Sequence, residues 1–113
     1  MKQFFLALDL QNDPEKIKTY IKYHQNVWPE ILESIGASGI QSMQIFNVEN
    51  RLFMILQTED HFSFEKKAKM DLANPKVQAW EKLMWEFQQA LPQSKTGEKW
   101  RLMEEIFAYQ KNT

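Results

Sequence analysis

The sequence contains no cysteine. That excludes a disulfide scaffold, a thiolate zinc site and a cysteine nucleophile. Its three glycines, Gly36, Gly39 and Gly97, are too scattered to build a phosphate-cradling loop or a nucleophile elbow. Nucleotide-dependent chemistry is therefore not expected. An excess of either charge is also missing, because 14 basic side chains face 15 acidic ones for a net charge of -1. The chain has no electrostatic footprint for nucleic acid or an anionic membrane. No apolar run approaches the roughly 20 residues that span a bilayer. The apolar stretch Phe4 to Leu8 is cut by Asp9 before it reaches the length of an export-signal core. These absences predict a cytoplasmic protein, and the length predicts one domain over residues 1–113.

Aromatic residues are abundant: four Trp, eight Phe and three Tyr. Such a surplus serves a large core, an oligomer interface or a sugar pocket, and composition does not choose among them. Patterning places the elements. Gln3 to Leu10 is a bulky apolar run that reads as a strand. Asp13-Pro14 supplies an N-cap and a first helical position. Ile17, Tyr20, Ile21, Trp28, Ile31, Leu32 and Ile35 then mark one helical face, kinked or broken at Pro29, with Gly36 and Gly39 bracketing its end. Ile40 to Val48 and Arg51 to Gln57 form a hairpin joined at Glu49-Asn50. The polar stretch Thr58 to Leu72 leaves room for a short helix near Phe64 to Met70. Asn74-Pro75 opens another helix, with Val77, Trp80, Met84, Phe87 and Leu91 on one face. Met103 to Tyr109 reads as a closing strand.

The order β-α-β-β-α-β predicts an α+β, ferredoxin-like fold. Two helices would cover one face of a four-stranded sheet and leave the other open. An exposed apolar sheet face of that size is rarely tolerated by a monomer. A homodimer of the dimeric α/β-barrel type is the expectation.

Tyr20 and His24 lie four residues apart, one turn apart on one helix face. Position 24 continues the apolar stripe from Tyr20 to Trp28, yet carries a histidine. An imidazole beside aromatics and a phenol can give and take a proton near neutrality. Pro29 cannot donate to the Gln25 carbonyl, which leaves an acceptor free near His24. A core histidine satisfied by a backbone carbonyl fits the same spacing. Trp28 and Trp80 fall on core-facing stripes. Trp85 instead lies with Glu81 and Gln88-Gln89, where an indole flanked by polar groups suits either a pyranose ring or a dimer contact. His61, in Glu59-Asp60-His61, lacks the neighbours of a metal site and reads as solvated loop. Glu104-Glu105 would point to opposite faces of a strand and cannot act as a carboxylate pair.

The run Tyr20-x-x-x-His24-x-x-x-Trp28-Pro29-Glu30 resembles the signature of the L-rhamnose mutarotase family. The resemblance continues through Gly39, the hairpin, Pro75 to Trp80 and Glu105-Ile106-Phe107. It implies a small dimeric isomerase without cofactors that interconverts the anomers of a 6-deoxy-L-sugar. It further implies His24 as the acid/base residue, with Tyr20 and Trp80 contacting sugar and Trp28 beside them. Met43 and Glu81 stand where the rhamnose pattern has a tyrosine and a second tryptophan, so both touch the expected pocket. The segments Trp80 to Trp85 and Gly97 to Trp100 are more similar to the branch associated with L-fucose.

Two other readings compete. The same dimeric architecture hosts oxygenases, in which His24 or His61 would act as ligand or base. A non-catalytic sugar-binding module would use the aromatic pocket without turnover.

Overall fold

A computed structural model describes residues 1–112. The chain forms β1 (Lys2–Leu10), α1 (Pro14–Tyr23), α2 (Pro29–Ala37), β2 (Ile40–Val48), β3 (Arg51–Thr58), α3 (Phe64–Leu72), α4 (Pro75–Trp85), β4 (Gln88–Gln89) and β5 (Arg101–Leu102). Local chemistry sets most of these boundaries. Asp13 Oδ1 accepts from the backbone N–H groups of Glu15 and Lys16, at 3.0 and 3.4 Å, and caps α1. Asn74 caps α4 through Lys76 and Val77 in the same way, and Ser63 caps α3 through Lys66. Pro29 breaks the first helical stretch outright rather than kinking it. Trp28 before it is extended (φ -57°, ψ 135°), the conformation proline favours in its predecessor. Gly36 lies inside α2, and Gly39 alone makes the turn into β2 at φ +99°. A Cβ there would meet the Glu59 side chain at 3.1 Å, so the turn requires glycine.

All strand pairs are antiparallel, in the order β2-β3-β1-β4, with β5 on the same side of β1 as β4. This is the ferredoxin-like arrangement, with the first expected helix divided at Pro29 into α1 and α2, and the short helix near Phe64 formed as α3 ahead of α4. Leu6, Leu8, Leu10, Leu52, Met54 and Leu56 point to the helices and are buried. One core cluster joins Leu10, Tyr20, Ile31, Leu52, Val77, Trp80 and Met84; a second joins Leu6, Ile40, Met54, Leu56 and Phe62. Ile35, Ile45 and Trp100 pack against both. No helix among the described residues is long and apolar enough to cross a membrane.

The opposite face of the sheet has no helix over it. Phe5 stacks on Phe53 at 6.1 Å between ring centroids, and Phe46 lies 6.3 Å from Phe53 on the far side. Phe5, Phe46 and Val48 are exposed. Beside this patch Arg51 holds the buried Asp9 carboxylate with two hydrogen bonds, of 2.7 and 3.1 Å.

Two expected elements end differently. The helix opened by Pro75 stops at Trp85, so Phe87 and Leu91 lie beyond it and β4 follows at once. The closing strand Met103 to Tyr109 does not form; pairing with β1 is confined to Arg101–Leu102 plus one bond from Met103 N–H to the Phe5 carbonyl. The register accounts only for the end of the stretch: Leu102 faces Leu6, so residues after Ile106 would run past Lys2 at the end of β1, whereas residues 104–106 have β1 positions opposite them and still form no strand.

Candidate active site

The site forms where α1 ends. His24 follows the last residue of α1, and its backbone N–H turns back to the Ile21 carbonyl, three residues earlier. That leaves the Tyr20 carbonyl for the side chain, and His24 Nδ1 lies 2.8 Å from it. The acceptor is therefore the Tyr20 carbonyl and not that of Gln25. A carbonyl oxygen only accepts, so Nδ1 carries the hydrogen and Nε2 of the neutral ring is a bare lone pair. The imidazole is half-buried, 4.4 Å from the Tyr20 ring and 5.7 Å from the Trp80 ring between centroids. Trp28 packs edge-on against Trp80 at 5.0 Å, and Tyr23 does so from another side at 6.4 Å. Two aromatic rings thus flank the imidazole, and Trp28 and Tyr23 pack on Trp80 behind it.

Tyr20 is buried, and its phenol oxygen accepts a hydrogen bond of 3.1 Å from Gln88 Nε2. Burial pushes the phenol above the ordinary tyrosine range, against the smaller opposing effect of the Gln88 bond. The phenol keeps its proton, and with its oxygen already accepting it retains an O–H to donate. Gln88 is 7% exposed and is placed by its pairing with Leu10 on β1. Sequence reading noted Gln88-Gln89 beside Trp85 but missed the bond to Tyr20. The two residues are 68 positions apart, and no local pattern reports such a contact.

Gln88 also lines an open cleft of about 530 Å³ with Gln11, Asn12, Asp13, Trp85 and Gln89. Trp85 is 39% exposed there, with the Lys99 ammonium 5.2 Å from its ring centroid. Trp85 and the two glutamines meet as their spacing suggested. A smaller cleft of about 280 Å³ lies between Trp28, Pro29, Glu30 and Lys76. Glu81 is half-buried on α4, one residue after Trp80. Met43 packs against the second core cluster. Among the described residues no group of three His, Asp or Glu side chains is placed to hold a metal ion.

The L-rhamnose mutarotase family profile matches residues 3–109. The chain belongs to that family. The family's activity is the interconversion of sugar anomers, an isomerisation. An L-fucose mutarotase of Xanthomonas campestris pv. campestris is 41% identical over 110 residues, covering 96% of this chain and 88% of that one. Among solved structures, an L-rhamnose mutarotase from Formosa agariphila superposes with a TM-score of 0.70 at 19% identity, over 97% of this chain and all of that one. A dimeric ferredoxin-like protein from an uncultured marine organism has a TM-score of 0.54 at 12% identity, over 96% and 91%. These two structural likenesses speak to the fold.

Proposed function

We propose that this family member acts on 6-deoxy-L-hexoses, L-fucose before L-rhamnose, with His24 as the proton-transfer residue. The tautomer of His24 carries the mechanism. Its bare Nε2 takes the proton of the anomeric O1 hydroxyl as the C1–O5 bond breaks, and the imidazolium so formed returns that proton to O5. C1 is then the aldehyde carbon. Rotation about C1–C2 presents its other face, O5 adds back and loses its proton, and O1 regains one. Histidine is the side chain suited to move protons in both directions near neutrality. The Tyr20 O–H, oriented by Gln88, serves as a hydrogen-bond donor to the sugar. Trp80, and Trp28 beside it, offer apolar surface to the C–H face of the ring, whereas Trp85 lines the cleft with Gln88 and Met43 packs against the second core cluster.

The L-fucose preference is supported by the 41% identical relative and by Met43 and Glu81, which depart from the rhamnose pattern. The two sugars differ in hydroxyl stereochemistry, and a misplaced hydroxyl that leaves buried polar groups unpaired is rejected strongly. Saturation-transfer NMR on each sugar tests the assignment. Faster protein-dependent anomer exchange for L-fucose is expected; faster exchange for L-rhamnose would overturn the preference.

A homodimer joined through the open sheet face accounts for Phe5, Phe46 and Val48 in solvent, and the marine structural neighbour is described as dimeric. The absence of cysteine suits a cytoplasmic setting.

A further inference from the structure

One glutamine ties together the two walls of the cleft beside Trp85, the β1–α1 loop and the turn from α4 into β4. Gln11 donates its backbone N–H to the Phe87 carbonyl at 2.8 Å and its side-chain Nε2 to the Glu86 carbonyl at 3.1 Å. Its Oε1 accepts from Lys16 Nζ at 2.7 Å. The walls are therefore set before any ligand arrives, which lowers the cost of binding one. Neither His24 nor Trp80 borders this cleft.

Gln88 is the buried member of the lining. Its Nε2 is committed to the Tyr20 phenol oxygen, and its Oε1 has no protein donor among the described residues. No buried side-chain oxygen or nitrogen among those residues lacks a partner, so Oε1 is reached from outside, and the opening at Gln88 is the cleft. An amide held this deep with a free acceptor is a receptor for a hydroxyl group. Two further polar groups stand beside it. Asp13 spends Oδ1 on the cap of α1 and keeps Oδ2 as an acceptor, and the exposed Asn12 makes no side-chain hydrogen bond among the described residues. The indole of Trp85 supplies the apolar surface.

We propose that this cleft is a second pyranose-binding site, separate from the His24 pocket. Trp85 packs on the C–H face of the ring, Gln88 Oε1 accepts from one hydroxyl, and the Asn12 amide donates to another. A pyranose fits because each hydroxyl both donates and accepts, matching amides and a carboxylate, while its C–H face suits an indole. A flat aromatic ligand would leave those polar groups unpaired. The choice of a 6-deoxy-L-hexose as occupant rests on the function proposed above. Gln88 then joins the two sites, with one end of its amide on the Tyr20 phenol and the other on the second sugar.

The four tryptophans read both sites in one experiment. The 15N-labelled chain is titrated with L-fucose and, separately, with L-rhamnose, and the indole N–H signals are assigned by replacing each tryptophan with phenylalanine in turn. The Trp85 and Trp80 signals are expected to follow two different binding curves. Asn12→Ala is expected to weaken the Trp85 curve about fivefold, the loss of one hydrogen bond, and to leave the Trp80 curve in place. A Trp85 signal that neither sugar moves overturns the second site. A single curve shared by both signals reduces the two to one pocket and also overturns it. A Trp85 signal that follows protein concentration instead of sugar marks a dimer contact and overturns it as well. Movement of Trp85 with Trp80 unmoved leaves the cleft site standing and takes the sugar away from His24, so the two proposals fail separately.

Discussion

His24 Nδ1 and the carbonyl oxygen of Tyr20 stand 2.8 Å apart, a side chain completing the helix end that its own backbone leaves open. The contact fixes which nitrogen is free. In 15N-resolved NMR of the neutral protein, His24 is expected with the hydrogen on Nδ1 and Nε2 unprotonated. The opposite tautomer would contradict the acid/base assignment, since Nε2 would then have no lone pair for the anomeric hydroxyl.

The phenol of Tyr20 gives a pH signature. An unfolded chain ionises this tyrosine near its ordinary value of 10.0, whereas burial delays ionisation in the folded chain. Above that value the unfolded state loses its proton first. The stabilising contribution is thus complete below about pH 10 and is lost as pH rises through the folded value. Urea unfolding between about pH 9 and 11 should show a shallower loss of stability for Tyr20→Phe than for the natural chain. Parallel slopes would contradict the burial argument.

Gln88 and Tyr20 should act as a pair. Gln88→Leu leaves the buried phenol oxygen without its donor, at a cost of about 1–3 kcal/mol. In a Tyr20→Phe background that acceptor is gone and the cost should fall. A double-mutant cycle by urea unfolding is expected to give a coupling of about 1 kcal/mol. Strictly additive effects would remove Gln88 from the account of how the phenol is held.

The parts of this fold that a local pattern can carry were legible. Asp13-Pro14 and Asn74-Pro75 combine a capping side chain with a residue that needs no donor, so each announces a helix start. Pro29 announces a break, and Glu49-Asn50 a hairpin. Tyr20, His24, Trp28 and Trp80 converge because helical spacing and one shared core bring them together. What could not be read depends on distant partners. β4 and β5 are two-residue pairings whose register belongs to β1, and Gln88 reaches Tyr20 only through that pairing. Met103 to Tyr109 has a strand's composition, but composition does not report whether a neighbouring strand pairs with it.

The central claim is that His24 moves the protons of anomer exchange, and one experiment addresses it directly. Saturation-transfer NMR on L-fucose is run with the natural chain and with His24→Ala, after circular dichroism has established that the variant is folded. The protein-dependent exchange rate is expected to fall by about 10²–10⁴-fold, the range that a general acid/base supplies. A folded His24→Ala protein exchanging anomers at the natural rate would contradict the account.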